Sequence, residues 1–336
     1  MNNKKILVTG GAGYIGSHVV RQLGEAGESV VTLDNLCTGF EAAVTSGELV
    51  VGDTGDAELL ESLFADHDID TVMHFAAHTI VPESLADPLK YYRNNTANSR
   101  TLLEACEKNG VKYFVFSSTA AVYGTPPDGK AAETTPTRPI NPYGSSKLMT
   151  EWMLRDLSMA GGPKFVTLRY FNVAGCEPSG TIGQSTPNAT LLIKVACEVA
   201  VGKRPELSIF GTDYSTPDGT ALRDYIHVED LATAHLDALA YLRDGGKPAT
   251  LNCGYGHGYS VREVVHAVEQ ACGESLTTVE APRRAGDPPE LIAAVEEIQH
   301  VIGWTPKFDD LDTIVHTSLE WERKIAAEDP TAYWPT

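Results

Sequence analysis

The sequence predicts an α/β protein, a doubly wound parallel sheet carrying a smaller α/β substrate-binding domain, on three observations. Short β-branched runs alternate with longer amphipathic ones through the first half of the chain. A glycine cluster closes the first run, and a helical pattern follows at once. Past about residue 175 the texture changes to Gly, Pro, Ser and Thr, as in GCEPSGTIGQSTPN and FGTDYSTPDGT. Such loops suit a smaller portion set over the carboxyl ends of the strands, where open α/β sheets bind ligands.

Taken in order, the expected strands are Lys5 to Val8, Ser29 to Leu33, Leu49 to Val51, Thr71 to Phe75, Tyr113 to Ser117 and Lys164 to Arg169. Helical patterns run from Ala57 to Ala65 and Tyr91 to Lys108, and a further helix is expected from Tyr143 to Leu157. The division expected is 1–175 and 176–336. It is not a clean cut, because the helix Val228 to Tyr241 and the segment Thr250 to Cys253 return to the first part, so segments near 223–255 belong with it.

A chain of 336 residues can bury a large core. Its net charge of -19 repels phosphate backbones, which argues against nucleic acid and requires a local site for any anionic ligand. No apolar run approaches the roughly 18 residues of a membrane span. The start MNNKKILVTG passes into a strand without a signal core, so a cytoplasmic protein is expected. Cys37, Cys106, Cys176, Cys197, Cys253 and Cys272 form no Cys-x-x-Cys pair, which fits reduced thiols. His74 and His78 have metal-like spacing but sit at a strand end without a nearby Glu, so no metal is expected.

The first strand ends in Thr9-Gly10-Gly11-Ala12-Gly13-Tyr14-Ile15-Gly16. Gly10, Gly13 and Gly16 allow a tight turn and bring backbone N–H groups and a helix N-terminus to a pyrophosphate. Asp34 ends the second strand, where a carboxylate accepts hydrogen bonds from the adenine ribose and repels a 2'-phosphate. The cofactor expected is therefore NAD. Asp53, after the third strand, is a further adenine-side candidate.

Tyr143 and Lys147 stand four residues apart at a helix start, so they share a face. A phenol ionises near pH 10, and a lysine beside it, with the nicotinamide charge, is expected to lower that value and make Tyr143 a general base. The pair follows a strand ending Phe116-Ser117-Ser118-Thr119.

Together with TGGAGYIGSH, DNLCTG, HFAA, FSSTAAVYG, NPYGSSK, LRYFNVAG, DGTALRDYIHV and APRRAGD, the sequence resembles the extended short-chain dehydrogenase/reductase family and, within it, the UDP-galactose 4-epimerases, over nearly the whole chain. The resemblance implies an NAD-binding Rossmann domain and a UDP-sugar-binding domain. It places Thr119 on the sugar 4-hydroxyl, Asn172, Arg223 and Arg284 on the substrate diphosphate, Asp287 on the uridine ribose and Phe210 with the substrate. It adds cofactor contacts from Tyr14, Ile15, Asn35, Thr54, Phe75, Ala76 and Ala77, and from Thr79, Asn95, Ser117 and Tyr170, with Asn95 also packing near the sugar. It further implies a redox cycle with no net redox. C4 of the sugar is oxidised, the 4-keto sugar turns over, and C4 is reduced on its other face. A homodimer through the helices that include Tyr91 to Lys108 and Tyr143 to Leu157 is implied as well.

Two positions depart from the family pattern. Thr79 stands where a lysine reaches the cofactor phosphates, and Leu291 stands where a tyrosine often closes the sugar pocket. The smaller Leu291 is expected to leave room for a 2-acetamido group, as in UDP-N-acetylglucosamine. Rival readings are C4 epimerases of UDP-xylose or UDP-glucuronate, and a dinucleotide-sensing protein without catalysis. A 4,6-dehydratase is disfavoured because Thr119 is followed by Ala120-Ala121 instead of an acidic pair.

Overall fold

The computed structural model describes residues 4–328 apart from Pro187 and Ala285. Five strands open the chain, β1 (Lys5–Thr9), β2 (Val30–Asp34), β3 (Glu48–Val51), β4 (Ile69–His74) and β5 (Tyr113–Thr119). Interleaved with them are α1 (Tyr14–Glu25), α2 (Ala57–Asp66), α3 (Val81–Ala86), α4 (Pro88–Tyr91) and α5 (Asn98–Lys108). The short β6 (Lys130–Ala131), α6 (Pro142–Met159), β7 (Lys164–Tyr170) and β8 (Asn172–Ala174) follow.

The later elements are α7 (Leu192–Ala200), β9 (Leu207–Phe210), β10 (Leu222–Arg223), β11 (Tyr225–His227), α8 (Val228–Arg243) and β12 (Ala249–Cys253). The chain then runs through β13 (Tyr259–Ser260), α9 (Val261–Cys272), β14 (Thr278–Ala281), β15 (Glu290–Ala293), α10 (Glu296–Ile302) and α11 (Leu311–Ala327).

Seven strands form one parallel sheet in the order β12-β7-β5-β4-β1-β2-β3. Its strands are near-continuous apolar runs because helices cover both faces, and side chains alternate between them. Ile6 and Val8 join a core with Val115, Ala238 and Ile314, whereas Leu7 joins Val31, Leu60, Phe114 and Leu154 on the other face. Truncating the fully buried Leu154 of α6 to alanine would cost about 2–5 kcal/mol. From β1 the chain winds outward through β2 and β3, then returns to β4 on the opposite side. That reversal opens a crevice at the carboxyl ends of β1 and β4.

The expected helix from Tyr91 to Lys108 is interrupted. Residues Tyr92–Ala97 form a π-helical stretch between α4 and α5, which is common where function displaces regular bonding. The helix α6 starts as its residues dictate: Asn141 caps it by accepting from the Gly144 N–H at 2.8 Å, and Pro142 occupies the first turn, where its missing N–H costs nothing.

A buried polar network clamps α6 to the sheet. Arg169 of β7 donates to both oxygens of Glu151 at 3.0 and 2.5 Å, and Ser118 of β5 donates to Glu151 at 2.5 Å. Beyond the main sheet lie a four-stranded sheet of order β13-β10-β15-β6 and two-stranded pairs β11-β8 and β14-β9. Among the described residues no helix is long and apolar enough to cross a membrane.

Candidate active site

A cavity of about 540 Å³ occupies the crevice. The glycine loop forms its floor. Gly10 has φ +73°, and a Cβ there would stand 2.6 Å from the backbone nitrogen of Ala76. A Cβ on Gly16 would stand 2.2 Å from the carbonyl oxygen of Gly10. The loop therefore tolerates no side chain at these points, and no side chain caps the N-terminus of α1, which leaves its N–H groups for an anion. Gly13, Tyr14 and Ile15 line the cavity with them, and Tyr14 donates through its hydroxyl to the Gly175 carbonyl at 2.6 Å.

Asp34, at the end of β2, lines the next stretch of wall. It accepts from the N–H groups of Ala12 at 2.9 Å and Leu36 at 2.8 Å, which hold the carboxylate in place while burial pushes its pKa up. Asn35, Asp53 and Thr54 stand beside it, and Asn35 donates to Asp53 at 2.9 Å. Phe75, Ala76, Ala77 and Thr79 continue the lining past the end of β4, and Thr119, Tyr143 and Tyr170 complete the sheet side.

Tyr143 is buried in the first turn of α6. Lys147 is buried behind it, donating to the Ser117 carbonyl at 2.9 Å with its ammonium 5.0 Å from the centre of the Phe116 ring. Burial lowers the Lys147 pKa to about 7, with the Glu151 carboxylate opposing. The expectation that the tyrosine's pKa would be lowered is not met by the chain's own groups. Burial of the phenolate raises it, and a hydrogen bond from Thr119 offsets only part of that cost. The hydroxyls of Ser117 and Tyr170 hydrogen-bond, so Ser117 holds both Lys147 and Tyr170 from behind the cavity wall.

At the far end Asn172, Arg223, Asp287 and Leu291 line the cavity. Arg223 lies 3.6 Å from Asp287 and is directly paired with Leu291 across the β10 and β15 register.

Asn95, Arg284 and Phe210, like Ser117 and Lys147, are not among the residues that line the cavity. Asn95 does not reach the cavity. Its amide group is buried, accepting from the His78 N–H at 2.8 Å and donating to the His78 carbonyl at 2.9 Å and to Ser146 at 3.1 Å. The π-helical stretch instead presents its neighbour Asn94 to the cavity. Arg284 does not line the cavity either. Its guanidinium lies 3.9 Å from the centre of the Phe210 ring, within the field of the Asp287 carboxylate on the cavity wall.

Sequence reasoning missed Asn94, His78, Glu83, Lys90, Gln184 and Thr186, all of which line the cavity. The four-residue spacing of Lys90 and Asn94 was an available signal. His74 is engaged on both ring nitrogens, by Thr9 at 2.6 Å and Ser99 at 2.8 Å, and burial lowers its pKa to about 3. Among the described residues no group of His, Cys, Asp and Glu is placed to hold a metal ion.

Residues 6–254 match the model of the NAD dependent epimerase/dehydratase family. The chain is 58% identical to a UDP-glucose 4-epimerase of Azospirillum brasilense over 96% of this chain and 92% of that protein. Among solved structures it is similar to a UDP-glucose 4-epimerase from Brucella ovis in complex with NAD, with TM-score 0.92 and 41% identity, covering 95% and 98% of the two chains. It is also similar to a UDP-Glc/GlcNAc 4-epimerase from Campylobacter jejuni, with TM-score 0.84 and 48% identity, covering 96% and 99%.

Proposed function

The chain belongs to the NAD dependent epimerase/dehydratase family, and we propose that it interconverts UDP-galactose and UDP-glucose by oxidising C4 and reducing it again. The observation that carries this reading is one cavity that joins the glycine loop, the Thr119–Tyr143 pair and Arg223. The residues fit NAD. The glycine loop has no room for side chains where a diphosphate would lie, and the Asp34 carboxylate sits where adenine ribose hydroxyls would meet it. When bound, NAD supplies a hydride acceptor and donor for C4.

The chain's own residues do the rest. Tyr143 takes the proton from the C4 hydroxyl and later returns it, and Thr119 holds that hydroxyl beside the phenol. Burial raises the Tyr143 pKa; Lys147, one helical turn on, would supply a cation to stabilise the phenolate, and NAD when bound would add its own positive charge. Ser117 and Glu151 keep Lys147 and α6 in place. Arg223 and Asn172 grip the UDP diphosphate, and Asp287 the uridine ribose, while the sugar turns over.

In this reading residues 1–175 hold the cofactor, with segments near 223–255 returning to them, and the remainder holds the UDP-sugar. The absence of a tyrosine at Leu291 leaves room for a 2-acetamido group, so UDP-N-acetylglucosamine and its epimer are substrates as well. The exposure of Trp152 and Met159 on α6 supports a homodimer paired through that helix and its neighbour, with solution mass as the test. The unpaired cysteines support a reducing, cytoplasmic setting. Incubating the purified protein with UDP-galactose and no added cofactor should give UDP-glucose. No turnover with or without NAD would refute the reading.

A further inference from the structure

Two diphosphates must enter this cavity, one from the cofactor and one from the substrate. Yet the charged side chains lining it, among the described residues, are Asp34, Asp53, Glu83 and Asp287 against Lys90 and Arg223. Arg223 stands at the substrate end beside Asp287 and Leu291. Lys90 stands on α4 beside the segment that closes over the glycine loop. That segment is fixed at its root, where the Phe75 and Ala76 N–H groups donate to Thr9 at 2.9 and 3.1 Å. Thr79, which follows it into the cavity, offers a hydroxyl but no charge.

We propose that Lys90 is a cofactor-binding residue whose ammonium neutralises the NAD diphosphate from the wall it shares with Thr79. The inference rests on reading the cavity as the site of NAD and a UDP-sugar. The amine is tethered, although the Lys90 and Glu83 side chains remain 40% and 36% exposed. Lys90 donates to Glu83 at 2.6 Å, and the other oxygen of Glu83 accepts from Tyr91 at 2.8 Å. Tyr91 is fully buried, and its hydroxyl, whose one proton is shared between Glu83 and the Ile80 carbonyl 2.7 Å away, accepts from the Ile80 N–H at 2.9 Å.

Glu83 thus anchors Lys90 to the 78–83 segment with one of three ammonium donors, leaving two for a phosphate. The lysine's charge is felt inside the cavity, where it acts with burial to lower the pKa of His78. Asn94, four residues on, lines the same cavity and gives the helix face a second polar contact.

The test compares the wild type, Lys90→Ala, Glu83→Gln and the double variant Thr79→Lys/Lys90→Ala. The readouts are NAD retained per chain after gel filtration and the Kd for NAD. Loss of a charge-assisted contact predicts that Lys90→Ala binds NAD about ten- to hundredfold more weakly. It also predicts that a lysine placed at position 79 restores retention. Lys90→Ala holding NAD as tightly as the wild type would overturn the proposal. So would a loss that Glu83→Gln reproduces in full and Thr79→Lys does not repair, which would make Lys90 only a brace for α3 and α4. A wild type that neither carries nor binds NAD would instead overturn the cofactor reading itself.

Discussion

The two ends of the cavity hold anions by different means. At the glycine loop the backbone does the work: Gly10 and Gly16 leave no space for a Cβ, and the N-terminus of α1 is uncapped. At the substrate end the proposed grip on the diphosphate comes from side chains, Arg223 and Asn172, drawn from the short strands β10 and β8. A backbone site is rigid and is damaged by adding atoms, whereas a side-chain site is adjustable and is damaged by removing them. The sugar has to turn over within the second end while the cofactor stays put in the first, and the division of construction matches that division of labour.

The largest effect should fall between the two ends. Tyr143→Phe should lower kcat by about 10²–10⁴-fold while NAD retention is kept, because only the transferred proton is lost. Equal loss of NAD would show that the phenol belongs to the cofactor end. Next comes the contrast itself. Gly16→Val should abolish NAD retention, since the new side chain meets backbone that cannot yield. Arg223→Met should raise KM for the UDP-sugar by about ten- to hundredfold with NAD still bound, as expected for one lost charged contact. If both variants lost both ligands, the two ends would not be separable.

A smaller effect concerns stability. Burial holds the Lys147 pKa near 7, below its ordinary 10.5, so folding disfavours the charged amine. That penalty is complete below about pH 7 and fades as the pH rises towards 10.5. Lys147→Met should therefore raise the melting temperature of the cofactor-free protein at pH 6, with little gain near pH 10, while turnover is lost. A melting temperature that falls at pH 6 would mean that the bond to Ser117 outweighs the desolvation cost. The smallest effect is on selectivity. Leu291→Tyr should reduce turnover of UDP-N-acetylglucosamine more than that of UDP-glucose, measured as the ratio of the two rates.

The contrast also explains what could be read from the chain alone. The parallel sheet and the cofactor end were legible because backbone sites are written in local signals, glycines at fixed offsets and a carboxylate at a strand end. The ends of β5 and β7 were less so, since their polar residues Ser118 and Arg169 are buried only through partners on α6. Asn95 came from the family resemblance alone; the fold holds its amide on His78 and Ser146, and its neighbour Asn94 in the π-helical stretch lines the cavity. Arg284 and Phe210, assigned to substrate from the family resemblance, stack on each other, a long-range contact that no spacing announces. Lys90 belongs to no motif in the chain, and only the fold places it on the cavity wall.

The central claim is that one enclosed site removes hydrogen from C4 and gives the same hydrogen back. It is tested most directly with UDP-galactose deuterated at C4, incubated with the purified protein in ordinary water with no added NAD. The account predicts UDP-glucose that keeps its deuterium at C4. Product in which the label has been exchanged for solvent hydrogen would contradict it, because C4 would then have lost a proton and not a hydride.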